Sequence, residues 1–176
     1  MTILTVVLVK TFKSKNFEFR NLVSGGEDNH EYLSWMTNTN DIFIEGIRED
    51  FSILKLNEYI SEKNRSSNAI LIGVFSLQGN HHVGNVKFEP IDFKLNNAWM
   101  GILIGNLSFR GKGFSSEIIT TTCSYLSSFY NISEFFLGVD PTNQAALHAY
   151  RKCEFKVVGS HEKGGIIMLR RFSNTP

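Results

Sequence analysis

The 176-residue sequence has almost no excess of either charge: 18 Lys and Arg against 17 Asp and Glu leave a formal net charge of +1. A dedicated nucleic-acid binder needs a basic surplus to compete for phosphates, so that class is excluded and any anion site must be local. Cysteine is scarce as well. Cys123 and Cys153 are the only two; both fall in predicted helices without CxxC or Cys/His spacing, which argues against a disulfide framework and against zinc or another metal. Buried, reduced thiols are expected instead. Long apolar runs are missing too. Residues 3–9 form the only such run near the start; it is too short to span a bilayer, has no basic flank before it and no small-residue cleavage site after it, so a cytoplasmic protein without membrane attachment is expected. No repeat, low-complexity segment or linker interrupts the chain, and its length suits one domain over residues 1–176, able to bury roughly two thirds of its unfolded surface.

What is present is the composition of an ordinary globular protein, 42% hydrophobic and 20% charged, with 15 Phe that make the expected core aromatic. Residues 3–9 read as an extra strand, residues 17–23 alternate as the first strand proper, and Asp28 or Asn29 can cap a helix through Met36. Residues 51–63 read as a second helix with Ser52 as cap, and residues 69–77 and 82–93 as a hairpin in which Pro90 demands a bulge or an edge position. Residues 99–104 form the next strand. Helices over 117–130 and 143–153, and strands over 134–139, 155–159 and 166–172, complete an α/β chain of the α+β type.

The chain is organised around Phe109-Arg110-Gly111-Lys112-Gly113-Phe114-Ser115-Ser116-Glu117, a basic glycine loop between a strand and a helix. Glycines let the backbone turn its N–H groups into one concavity and the helix adds the positive end of its dipole, which is a way to hold a phosphate. The same composition also makes a solvated turn. A Walker loop does not fit, since Lys112 is followed by Gly113 and not by Ser or Thr; nor does a dinucleotide fingerprint, since Ser116 stands where the third glycine belongs. A second motif follows, Asn143-Gln144-Ala145-Ala146-Leu147-His148-Ala149-Tyr150-Arg151-Lys152-Cys153-Glu154-Phe155.

Taken in this order, the loop resembles the acetyl-CoA pyrophosphate loop of the GNAT acetyltransferase superfamily, with Ser115 as a small substitute at its last position. The second motif resembles the family's Asn-x-x-Ala-x-x-x-Tyr-x-Lys-x-Gly-Phe, departing at Glu154, where glycine is usual. The likeness covers residues 83–158 and extends to Glu31-Tyr32-Leu33-Ser34-Trp35-Met36, which resembles the branch of ribosomal-protein N-terminal acetyltransferases and amino-sugar acetyltransferases. It implies the GNAT fold, a mixed, mostly antiparallel sheet of about seven strands flanked by about four helices, and acetyl-CoA as cosubstrate with no metal.

The resemblance also implies roles. Arg110, Gly111, Lys112, Gly113, Phe114 and Ser115 would hold the pyrophosphate, and Ile102, Leu103 and Ile104, splayed from the next strand, would pair with the pantetheine arm. Asn143 would contact the ligand or simply cap its helix; Lys152 would reach the CoA phosphates or stay solvated. Tyr150, on the same helical face as Asn143, would be the general acid for the departing thiolate, against the plainer reading of a core tyrosine. The base is open: Glu89 is the first candidate, then Asp92, with His81 and His82 further off near a turn, and each also reads as a surface group. The acceptor is an amine, either of a small molecule such as a nucleotide-linked amino sugar or of a protein N-terminus. Tyr32, Trp35, Phe43 and Phe88 can line its pocket or serve as core; a basic peptide would want an acidic groove, whereas the charges of the chain are balanced, with Asp41, Glu45, Glu49 and Asp50 answered only partly by Arg48. A CoA-binding domain without turnover is the alternative, and a homodimer the assembly the family admits.

Overall fold

A computed structural model of the chain describes residues 9–37, 51–161 and 164–172. It divides into two compact units. The first contains the described residues up to Lys87 together with Ile102–Phe109, the second Phe88–Gly101 with the described residues from Arg110 onward.

In the first unit the alternation at β2 (Phe17–Asn21) is realised residue by residue. Phe17 and Phe19 are fully buried, while Glu18 and Arg20 on the other face pair at 2.8 Å, as the period-two geometry of a strand requires. On one side β2 pairs antiparallel with the short β1 (Phe12–Lys13), on the other with β3 (Ile70–Ser76), in a register that sets Phe17 opposite Ser76 and Asn21 opposite Ile72. All of β3 is buried, in keeping with its unbroken apolar run. Two helices, α1 (Asn29–Met36) and α2 (Ile53–Arg65), close over a core of Leu22, Tyr32, Leu56, Ile60, Leu71 and Phe75. Helix α2 begins where its sequence says it should: the Ser52 hydroxyl accepts a hydrogen bond from the Lys55 N–H at 3.3 Å, satisfying one of the orphan donors of the first turn.

The second unit is built on α3 (Phe114–Tyr130), β6 (Glu134–Val139), α4 (Gln144–Lys152), β7 (Lys156–Ser160) and β8 (Ile166–Arg171). Strand β8 pairs antiparallel with β6 and with β7, the latter with a register shift between Val157 and Gly159. Helix α3 buries Ile118, Ile119, Cys123 and Leu126 and stops at Asn131, whose φ of +56° lets its N–H reach back to the carbonyls of Leu126 and Ser127. Strands β4 (His82–Asp92) and β5 (Asn97–Ile104) contribute to both units. The strand order is β1-β2-β3-β4-β5-β6-β8-β7; β5 and β6 run parallel, and β1/β2, β2/β3, β6/β8 and β7/β8 run antiparallel.

Among the described residues this is the expected mixed, mostly antiparallel sheet with four helices. Three details differ. The described sheet has eight strands, because the pair Phe12–Lys13 adds an edge. Helix α3 starts at Phe114 rather than at residue 117, since Gly113 in the left-handed region turns the chain straight into it. Pro90 does not mark an edge strand: β4 lies between β3 and β5 and runs on to Asp92. The strand expected over residues 3–9 lies outside the described residues except for Val9, which is buried and exchanges hydrogen bonds with the Asn21 side chain at 2.8 and 3.4 Å.

The cap on α2 gives a direct stability test. Ser52→Ala should lower the unfolding free energy by about 1 kcal/mol, and Ser52→Asp should recover most of it, as read by urea denaturation midpoints at unchanged m-value.

Candidate active site

Within the second unit the basic loop has the backbone that its glycines foretell. Gly111 and Gly113 have φ of +70° and +78°, and a Cβ built on either meets nothing within 4 Å. The requirement for glycine is therefore conformational, and the surroundings are open enough for a ligand. Gly113 occupies the N-cap of α3 with no side chain to cap it, so the helix opens on backbone groups and the positive end of its dipole. Arg110 and Lys112 are exposed, Phe114 and Ser115 half-buried. Two sulfur contacts fix the helix behind the loop: Cys123 Sγ lies 3.8 Å from Met100 Sδ, and Cys153 Sγ lies 3.7 Å from the Ser116 carbonyl oxygen. Both cysteines are buried and free, and burial pushes the Cys123 thiol well above its ordinary pKa.

The last sulfur contact ties the end of α4 to the start of α3, and α4 carries the second motif. Asn143 caps it, its Oδ1 accepting from the Ala146 N–H at 3.0 Å. The turn before it is set by Asp140, whose carboxylate accepts from the hydroxyl and the backbone N–H of Thr142; those bonds hold its pKa below the usual value. Tyr150 is buried on the inner face of α4 with its ring 6.0 Å from Phe155, and Lys152 is exposed. Glu154 takes the left-handed conformation, φ +66°, at the position where the motif usually has glycine. Its carboxylate meets Arg170 at 3.3 Å, and that buried guanidinium also lies 4.4 Å over the Phe172 ring and 3.4 Å from Thr120 Oγ1.

Within the first unit the end of β5 meets β4 closely. A Cβ on Gly84 would run into the Leu103 carbonyl, and the N–H groups of Gly105 and Asn106 both donate to the Val83 carbonyl at 3.1 Å. Ile102, Leu103 and Ile104 are half-buried; the register between β5 and β6 runs from Asn97 to Trp99 and ends before them. The Trp35 indole lies against Gly105, where a Cβ would fall inside the ring. Trp35 also lies 4.7 Å from the His82 ring and 6.2 Å from Tyr32, and His82 stacks on Phe75 at 4.7 Å. Tyr32 itself belongs to the core, where burial and the neighbouring Tyr59 push its phenol well above the ordinary pKa.

Of the other candidates, Phe88 is fully buried with its ring edge-on to Phe135 at 5.8 Å, and Glu89 is half-buried on β4. The Asp92 carboxylate accepts from the N–H groups of Lys94 and Leu95 and shapes that turn; His81 is exposed and His82 buried. Phe43, Asp41, Glu45, Arg48, Glu49 and Asp50 lie outside the described residues. Among the described residues no group of three or more His, Cys, Asp or Glu is placed to hold a metal ion, and no helix is long and apolar enough to cross a membrane. Sequence reasoning missed Gly84, Asn85, Gly105 and the Arg170 cluster. Glycines in and just after strand patterns, at 84 and 105, are the signal of close approach that could have revealed two of them.

The comparisons with known proteins fall on the same region. The model of the acetyltransferase (GNAT) family matches residues 33–155. No curated protein matches the chain. Among solved structures, a ribosomal L7/L12 alpha-N-protein acetyltransferase in complex with coenzyme A superposes with a TM-score of 0.82 at 14% identity, over 94% of this chain and 100% of the other. Spermidine N-acetyltransferase from Vibrio cholerae, in complex with CoA and spermine, gives 0.78 at 21% identity over 90% and 96%. The microcin C7 self-immunity acetyltransferase, in complex with acetyl-CoA and AMP, gives 0.76 at 16% over 90% and 94%. At these identities the likeness is one of fold.

Glu154 makes the local energetics testable. A side chain in the left-handed region costs about 1 kcal/mol relative to glycine, and an ion pair with a largely exposed partner contributes between about 0 and 1 kcal/mol. Glu154→Gly should therefore match or exceed the wild type in thermal stability and exceed Glu154→Ala by about 1 kcal/mol, measured by calorimetric melting of the three proteins.

Proposed function

The chain belongs to the GNAT acetyltransferase family, and on that premise we propose that it moves the acetyl group of acetyl-CoA to the primary amine of a small molecule, such as a nucleotide-linked amino sugar, in the cytoplasm. The observation that carries the reading is the loop: two left-handed glycines with open space around them, flanked by Arg110 and Lys112 and opening directly into α3. A pyrophosphate fits such a loop because the N–H groups need close approach and two cationic side chains stand beside them. Gly111, Lys112, Gly113, Phe114 and Ser115 would hold it with Arg110, and Lys152 on α4 would add a charge. The backbone of Ile102, Leu103 and Ile104, beyond the last register pair with β6, suits the amide-bearing pantetheine arm as an added strand. Asn143, already engaged as the cap of α4, would act chiefly by fixing that helix. Buried free thiols at Cys123 and Cys153 suit a reducing compartment.

Acetyl-CoA supplies an activated thioester. The acceptor nitrogen forms a bond to the acetyl carbon, the carbon–sulfur bond breaks, the nitrogen loses a proton and the departing thiolate gains one. Tyr150, buried on α4, is the residue we assign to give that last proton. Orientation of two bound reactants supplies the larger part of the acceleration. Glu89, half-buried on β4, is the candidate to receive the nitrogen's proton. The half-buried Trp35 supplies a flat apolar wall, which suits the face of a sugar or a base, while Tyr32, also a candidate for that wall, packs in the core behind it. The AMP in the microcin immunity enzyme supports a nucleotide-bearing acceptor on this fold, while the ribosomal-protein enzyme makes a protein N-terminus the rival.

Two variants and one assay test this. Gly113→Val should abolish measurable acetyl-CoA binding in calorimetry, because a β-branched residue resists the left-handed conformation; unchanged affinity would refute the loop assignment. Tyr150→Phe should lower kcat by about 10²–10⁴-fold while leaving acetyl-CoA affinity near that of the wild type. Thiol release measured in parallel with nucleotide-linked amino sugars, polyamines and N-terminal peptides should favour the first; acetylation of peptides alone would transfer the assignment to protein N-termini, and CoA binding with no turnover on any amine would mark a noncatalytic domain.

A further inference from the structure

Within the second unit, β5 and β6 bury one face and leave the other partly open. Met100 Sδ meets Cys123 Sγ of α3 at 3.8 Å, and the Phe135 ring lies edge-on to Phe88 at 5.8 Å. By the alternation of a strand, Trp99 and Phe136 therefore stand on the opposite face. They are register partners, with nearly parallel rings (22°) whose centroids are 5.5 Å apart, and both are half-buried. Two residues further along each strand, on the face of the rings, come Gly101 and Gly138, both exposed. An aromatic pair left partly in water thus borders two residues that have no side chain.

Among the described residues nothing calls for glycine at these two positions. Neither has a positive φ, and a Cβ built on either meets nothing within 4 Å. Glycine weakens the interior of a strand, since it has the most freedom to lose and no side chain to pack; where it stands there, the usual reasons are a bulge, a bend or the close approach of another backbone or a ligand. The register between β6 and β8 runs unbroken through Gly138, opposite Ile167, which removes the bulge. The open space above both glycines removes a neighbouring backbone. Approach from outside the chain is what remains.

What this face offers decides what it can hold. Trp99, Phe136 and Ile167 carry no charge, and Glu134 at the start of the same face is met by Arg171 at 2.7 Å, so a diphosphate finds no counter-charge here. A peptide strand needs free backbone groups, and around Gly138 these are already paired with β8. A flat ring with an apolar C–H face suits it, laid on glycine backbone beside two aromatic rings. Gly101 is bonded directly to Ile102, the first residue of the stretch assigned above to the pantetheine arm, so a ring held here is the one that bears the reacting amine and not a nucleobase several bonds away. We propose that Trp99 and Phe136, with Gly101 and Gly138 as the floor, bind the sugar ring of the acceptor and are specificity-determining residues. The inference rests on the acetyltransferase reading and names the part of the acceptor that this face recognises.

The test is calorimetry of the full chain with D-glucosamine, with uridine diphosphate and spermidine as controls, beside thiol release from acetyl-CoA. The wild type should bind glucosamine saturably. Trp99→Ala should weaken that binding about tenfold, the loss expected for one ring contact, with acetyl-CoA affinity unchanged. Gly138→Val puts a good strand former where its Cβ meets no atom of the fold; it should melt no lower than the wild type and still weaken glucosamine about tenfold, because it fills the ligand's place. If Trp99→Ala does not fold, Gly138→Val carries the test. A wild type that does not bind glucosamine overturns this inference alone, as does glucosamine binding that Gly138→Val leaves unchanged, or uridine diphosphate binding that the same variant weakens as much. Glucosamine binding lost in Gly138→Val, in a chain that releases no thiol with glucosamine, spermidine or an N-terminal peptide, upholds the ring site and overturns the acetyltransferase reading.

Discussion

The left-handed backbone at Gly111 and Gly113 is the constraint on which the rest depends. An ordinary residue adopts such φ values only at a cost of about 1–2 kcal/mol. Two glycines separated by one residue let the segment that follows β5 turn directly into α3 at Phe114. Where the helix begins follows from that turn, and so does the burial of Ile118, Ile119 and Cys123 against the second unit's core. The start of α3 in turn anchors Cys153, and with it the end of α4 and the burial of Tyr150. One conformational requirement thus sets both the exposure of the loop's N–H groups and the rigidity behind them, which is what an anion cradle needs to avoid reorganising around its ligand.

In the first unit the same economy appears as close packing of backbone on ring and strand. Gly84 admits Leu103, and Gly105 admits the indole of Trp35. Neither position tolerates a side chain, because the atoms in the way are a carbonyl in one case and a ring wedged between α1 and the strand end in the other. Around that contact the aromatic residues are not interchangeable. Phe75 gives one face of its stack to His82 and also receives the Arg20 guanidinium 3.6 Å from its centroid, so a buried imidazole is held by apolar contacts and by two polar partners at once.

Much of this was legible in the sequence. Strand alternation at Phe17 and Phe19, the Ser52 cap, the glycine loop and the motif around Tyr150 each depend on residues within a few positions of one another, and local chemistry is what a sequence displays. The family resemblance likewise rested on two short motifs, and the match over residues 33–155 agrees with it. What escaped is non-local. That Phe88 faces Phe135 and that Trp35 covers Gly105 depends on where distant elements bring side chains, and composition does not encode it. Glu154 is the instructive case: the motif's departure from glycine was visible, but its remedy, the buried Arg170 held by Thr120 and Phe172, lies on other elements.

On the function proposed above, the loop opening α3 is where the donor's phosphates bind. Amide hydrogen exchange of the full chain, with and without saturating acetyl-CoA, tests it most directly, since bound N–H groups exchange more slowly than solvated ones. New protection is expected at Gly111, Lys112, Gly113, Phe114 and Ser115 and along Ile102, Leu103 and Ile104. Binding of acetyl-CoA with unchanged exchange at the loop, and protection only elsewhere, would contradict it.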